Sequence, residues 1–183
     1  MNPGDAIIDA CSLLNLLATR REEDLIRALQ VRLVVAPGVR VEAVYLDGPP
    51  NEAGDPTRDL IDIAPLEVHG LLRVEELGDE AADAFVAAAA DLADNDAASV
   101  ALAATLHVPL ITDDGKERRV CNRLFPGLEV VSTLALIRQA TEVLGLDKAT
   151  MRVLLRDLRT RGSFEPPRAE ANREWFWDLH GKD

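Results

Sequence analysis

Residues Leu92 to Arg119 read LADNDAASVALAATLHVPLITDDGKERR, and the order of elements within this stretch decides the fold. An acidic knot, Asp94-Asn95-Asp96, opens an Ala-rich helix. A short apolar strand, Val108 to Thr112, follows and stops on a second knot, Asp113-Asp114-Gly115. A helix feeding a buried strand is the repeating unit of an α/β fold. Carboxylate clusters at both ends of one such unit look like half of a cation site, so the other half must come from elsewhere in the chain.

Working outward, Ala6 to Asp9 (AIID) is a short apolar run ending on an acid, and Cys11 to Ala18 continues with helical spacing of Leu13, Leu14, Leu16 and Leu17. Glu22 to Leu29 reads as a second helix and Arg32 to Ala36 as a buried strand. Pro37 opens another helix, in which Val39, Val41, Val44 and Tyr45 supply apolar contacts around Glu42. Asp47 to Thr57 is dense in Gly and Pro and reads as a loop. Arg58 to His69 reads as a helix broken at Pro65, Leu71 to Leu77 as a strand, and Asp79 to Ala93 as a helix capped by Asp79. After the central stretch come a last strand, Leu128 to Val131, and a helix, Ser132 to Leu144.

This alternation predicts a three-layer α/β/α sandwich around a five-stranded, mainly parallel sheet in residues 1–144, with a C-terminal helical extension in residues 145–183. In such sheets ligands collect beyond the carboxyl ends of the strands, where the strand order reverses. Asp9 and Asp113-Asp114 both follow strand ends. If those two strands are neighbours at the reversal, their acids converge.

Composition narrows the chemistry. The 183 residues carry 32 acidic and 20 basic side chains, a formal charge of −12, which argues against a protein that coats nucleic acid nonspecifically. An apolar fraction of 48% is enough for a sizeable core. No apolar run reaches membrane-spanning length, and the N-terminus lacks a basic leader, so the expectation is a cytoplasmic protein with no membrane partner. Cys11 and Cys121 fit neither a disulfide framework nor a zinc pattern, and Cys11 reads as a small apolar filler. His69, His107 and His180 are scattered, which disfavours histidine catalysis.

Each acid also has an ordinary structural role open to it. Asp9 and Asp94 can cap helices, Asp96 can favour a helix dipole, and Asp113 and Asp114 can shape a turn with Gly115. Glu42 lies among apolar residues, where an unpaired carboxylate is costly. Collectively the acids ask for more. Two carboxylates about 4 Å apart repel by roughly 4 kcal/mol at an effective dielectric near 20. A hard divalent cation relieves that repulsion through oxygen ligands alone.

Four segments resemble the PIN-domain family. IIDACSLLNLL resembles its opening strand, acid and helix, and APGVRVEAVYL its second block. LADNDAASVALA resembles the segment usually written D-x-G-E-A, and PLITDDGKERRVC the closing block. The chain departs from the pattern at Asn95-Asp96, where Gly-Glu is common, and at Cys11, where Ser or Asn is usual. The resemblance runs from about Pro3 to Leu144.

It implies a Mg²⁺- or Mn²⁺-dependent ribonuclease, most often the toxin of a bacterial toxin–antitoxin pair, acting on RNA and partnered by an antitoxin, as a homodimer. Asp9, Asp96 and either Asp113 or Asp114 would hold the metal, and Glu42 would orient a water or a second ion. Ser12 and Asp94 would support these ligands. Thr112, Lys116, Arg118 and Arg119 would contact an acid or the flanking phosphates. A metal-activated water would then attack the phosphodiester. The alternative is a non-catalytic PIN-like module that binds RNA or protein. A doubly wound phosphoryl-transfer domain is disfavoured, because Asp9 has no adjacent acid and Leu128 to Thr141 holds no Lys.

The C-terminal extension carries a helix, Asp147 to Thr160, with Arg152, Arg156 and Arg159 along one face. Pro166-Pro167 stiffens the connector after it. Trp175, Phe176 and Trp177 then predict docking of the tail on the core or on a second subunit.

Overall fold

The computed structural model describes residues 1–42, 45–49, 51–55 and 57–180. Its strands are β1 (Gly4–Ile8), β2 (Val31–Val35), β3 (Tyr45–Gly48), β4 (Thr57–Leu60), β5 (Leu72–Val74), β6 (Leu110–Ile111) and β7 (Val130–Val131). Its helices are α1 (Ala10–Ala18), α2 (Glu22–Leu29), α3 (Val39–Glu42), α4 (Ala64–Val68), α5 (Ala82–Ala89) and α6 (Asp94–Leu106). They continue with α7 (Gly115–Leu124), α8 (Thr133–Leu144), α9 (Lys148–Arg161) and α10 (Arg173–His180).

Five strands form one sheet in the order β5-β2-β1-β6-β7, and every pairing in it is parallel. The strands that lie deepest are nearly continuous apolar runs, as burial on both faces demands. Ala6, Ile7, Ile8, Leu33, Val34, Val35, Leu110 and Ile111 are all fully buried. Helices α1, α2 and α8 pack together, while α5, α6 and α7 form a second group against the sheet. The result is the expected α/β/α sandwich. The order reverses between β1 and β6, which are direct neighbours, with Ile8 opposite Ile111. This adjacency brings Asp9 to the end of β6, where its backbone N–H donates to the Ile111 carbonyl.

Local chemistry sets the helix ends. Asp9 caps α1 by accepting from Ser12 N, and Ser132 caps α8 by accepting from Ala135 N. Gly145 ends α8 with φ 62, a left-handed position suited to glycine.

Several local expectations are corrected. The Gly- and Pro-rich stretch is the connection of an antiparallel hairpin, in which β3 pairs with β4 and Tyr45 faces Leu60. Pro65 starts the short helix α4 instead of breaking a longer one, because its missing N–H is tolerated in a first turn. Asp79 belongs to a 3-10 turn, Asp79–Ala81, with no side-chain capping bond. The helix around Glu42 is one turn long, with Val39 buried and Val41 77% exposed. Tyr45 lies in a strand and is half exposed, and Val44 falls outside the described residues.

The tail docks on the same core. Leu154, Leu155, Leu158, Phe164, Phe176 and Leu179 are buried in one cluster with the strand residues. Phe176 is fully buried and meets Phe164 and Trp177 edge-on. Two arginines of the α9 stripe turn to this tail, Arg152 donating to the Leu179 carbonyl and Arg159 lying over the Trp177 ring, while Arg156 pairs with Asp157 at the surface. No helix among the described residues is long and apolar enough to cross a membrane.

Candidate functional site

The acids gather beyond the carboxyl ends of β1 and β6. Asp9 is 3% exposed. Its carboxylate accepts from Ser12 N at 2.5 Å. Burial pushes the Asp9 carboxyl above its ordinary range, against hydrogen bonding from Ser12, and the Asp113 charge adds to the rise.

Next to Asp9 stands an acid that the sequence analysis passed over. Glu117, in the first turn of α7, is fully buried. The Thr112 hydroxyl donates to its Oε2 at 2.6 Å, whereas its Oε1 is buried without a partner. Burial first, and then the charge of Asp9, raise the Glu117 carboxyl far above the usual range. A signal for this residue existed. Glu117, Val120, Cys121 and Leu124 recur at helical spacing, which puts the glutamate at the head of the inward face. Its basic neighbours Lys116, Arg118 and Arg119 dominate the run and draw the reading toward phosphate contacts instead.

The two acids of the closing knot divide their work. Asp114 caps α7, accepting from Lys116 N and Glu117 N, and its charge acts on Asp96. Asp113 turns toward α8 and α1, accepting from Thr133 N at 2.9 Å and Asn15 Nδ2 at 3.1 Å. Burial raises its carboxyl, and these two donors oppose the rise. Thr112 is the hub between them. Beyond its bond to Glu117, its hydroxyl accepts from Asp114 N, and its carbonyl accepts from Arg118.

Asp96 and Glu42 act on each other from α6 and α3. Asp96 lies half-buried in the first turn of α6, and burial raises its carboxyl, followed by the charges of Asp114 and Glu42. Glu42 is exposed and accepts a hydrogen bond from Asn95 Nδ2 at 2.5 Å. Cys11 is exposed rather than an apolar filler. Burial and then the charges of Asp9, Asp96, Glu42 and Asp114 all push its thiol upward. These mutual effects place the five candidate carboxylates and Glu117 in one electrostatic neighbourhood.

The remaining candidates behave differently from one another. Asp94 is exposed and does not cap α6, whose N-cap is Ala93 with no side-chain bond. Ser12 supports Asp9 through its backbone N–H. Arg118 is half-buried and donates to the Thr112 carbonyl, whereas Lys116 and Arg119 are exposed.

No three Asp, Glu, His or Cys side chains among the described residues lie close enough to form a ready cation cage. The donor chemistry nonetheless suits a hard divalent ion. It offers oxygen ligands, two buried carboxylates in contact, and one carboxylate oxygen with no protein partner. Mg²⁺ keeps several waters when bound, so it needs few direct protein ligands.

No curated protein matches the chain. A family model described as a PIN domain matches residues 5–171, which takes in every acid described above. The chain therefore belongs to the PIN-domain family.

Proposed function

We propose that this chain is a Mg²⁺- or Mn²⁺-dependent endoribonuclease, and that it serves as the toxin of a toxin–antitoxin pair. PIN domains are in general nucleases that act with divalent metal ions. One observation carries the finer reading. Asp9 and Glu117 lie buried beside each other at the sheet reversal, at a cost that a cation would remove, and the charges of Asp96 and Asp114 act on the same neighbourhood.

Asp9, Asp96 and Asp114 would hold the metal, together with Glu117. When bound, the ion supplies charge neutralisation at the phosphate and a nucleophile at neutral pH. The chain's own residues do the rest. Thr112 keeps Glu117 and the Asp114 backbone in register through one hydroxyl. Asp113 ties the end of β6 to α8 through Thr133 N and so fixes the bend on which Asp114 sits. Glu42, whose charge acts on Asp96, orients water toward the scissile phosphate. Lys116 and Arg119 bind flanking RNA phosphates. The antitoxin and a homodimer are the partners this reading implies, and co-purification and light scattering test them.

Cleavage of single-stranded RNA with Mg²⁺, stopped by EDTA and lost in Asp9→Asn, is the result expected. Cleavage that survives EDTA, or full activity in Asp9→Asn, contradicts it. A second reading, a non-catalytic module binding RNA or protein, draws on the lack of a ready three-donor cage among the described residues. Saturable metal binding with no cleavage of any RNA would favour that module.

A further inference from the structure

We propose that Asn95 is a positioning residue that holds Glu42 toward the other acids, a role that rests on the nuclease reading above. Glu42 ends a single helical turn and is exposed, and a long exposed glutamate has several rotamers of similar energy. Something must select one of them if the carboxylate is to act at a fixed place. Asn95 does so by donating from Nδ2 to Glu42 Oε1 at 2.5 Å.

The donor is well anchored. Asn95 lies in the first turn of α6 beside Asp96, so one helix end carries both a site acid and the clamp on its partner acid. An amide is also the suitable donor, because it fixes the carboxylate without cancelling its charge. A lysine or arginine there would neutralise the group, and an aspartate would repel it.

The opposite wall is cut to fit. A Cβ at Gly38 would fall 1.8 Å from Asn95 Oδ1 and 2.5 Å from its Cγ. Gly38 has no left-handed φ, so the requirement is space and not backbone freedom. The bare glycine at the entrance to α3 lets the Asn95 amide lie against that turn and reach Glu42.

The test is a pair of double-mutant cycles on the full chain. Asn95→Gly should lower kcat for RNA cleavage about tenfold with little change in KM or melting temperature, as expected for a misplaced group. In a Glu42→Gln background the same change should cost less than about twofold, since the two act as a unit. Gly38→Ala should lower kcat in the native background and be harmless when combined with Asn95→Gly. Independent losses that multiply, or a Gly38→Ala defect that persists in Asn95→Gly, overturn the proposal. A readout free of activity is the Asn95 side-chain amide in a ¹⁵N spectrum. Its two protons should be widely split and should collapse toward each other in Glu42→Ala, and an unchanged pair overturns the contact. A native chain that cleaves no RNA defeats the nuclease reading, and the amide spectrum still decides the clamp.

Discussion

The Thr112 hydroxyl donates to Glu117 Oε2 at 2.6 Å with both side chains fully buried, one at the end of β6 and the other in α7. One hydroxyl thus orients a carboxylate whose other oxygen has no partner in the protein. Thr112→Val keeps the shape and removes the donor. It should destabilise the fold by about 1–3 kcal/mol, the range for stranding a buried polar group. Urea denaturation of the two proteins measures this, and a loss below about 0.5 kcal/mol contradicts the buried bond.

Glu117 itself is predicted to be a liability in the metal-free protein. Glu117→Gln removes an acid that burial forces to keep its proton at a pH where the unfolded chain has released it, while keeping an oxygen for Thr112. The melting temperature of the metal-free variant at pH 8 should exceed that of the native chain. Added Mn²⁺ should then stabilise the variant less than the native protein. Equal cation-induced shifts would show that Glu117 takes no part in metal binding.

The pH dependence follows from the same groups. Asp9, Glu117, Asp96 and Asp113 all have carboxyls raised in the folded state. A raised acid keeps its proton in the fold at a pH where the unfolded chain has released it. Its stabilising contribution is therefore complete below the ordinary carboxylate range, about 4. It is lost progressively as pH rises through the elevated folded values. Thermal melts in EDTA should fall between pH 5.5 and pH 8.5, and saturating Mg²⁺ should flatten the profile. A melting temperature that climbs with pH in EDTA contradicts the assignment.

Asp113 and Asp114 should separate cleanly. Asp113→Asn faces the Asn15 amide with a second donor and should cost about 1–2 kcal/mol of stability. Asp114→Asn retains a competent cap for α7 and should leave stability within about 0.5 kcal/mol while lowering RNA cleavage. Paired stability and activity measurements distinguish the two, and the reverse pattern would assign the metal to Asp113.

The aromatic tail is a structural element of this fold. Phe176 is fully buried against Phe164, Trp177 and His180. Phe176→Ala should cost about 3–5 kcal/mol. A loss under about 1 kcal/mol, read by chemical denaturation, would mean the tail is not docked in solution.

Much of this architecture was legible because the apolar runs at Ala6–Ile8, Leu33–Val35 and Leu110–Ile111 fit only a doubly covered parallel sheet, which puts the acids at strand ends. The misreadings have local causes. The β3–β4 hairpin was hidden because its strands flank a Gly- and Pro-rich connection and bury little beyond Leu46. Cys11 follows a buried strand, yet it occupies the second position of α1 and points outward. Glu117 was obscured by basic neighbours whose charges dominate the run, although the helical period marked it as inward. Which acid of the Asp113-Asp114 pair faces the cluster depends on a bend at Thr112, and the residue pattern does not encode that register.

The most direct test of the central claim is a substoichiometric Mn²⁺ titration followed by amide NMR. Convergence predicts simultaneous paramagnetic broadening in three separate segments, around Asp9–Ser12, Asp94–Ala97 and Thr112–Glu117, and its loss in Asp9→Asn. Broadening confined to one segment, or spread over the acidic surface and unchanged in Asp9→Asn, would contradict it.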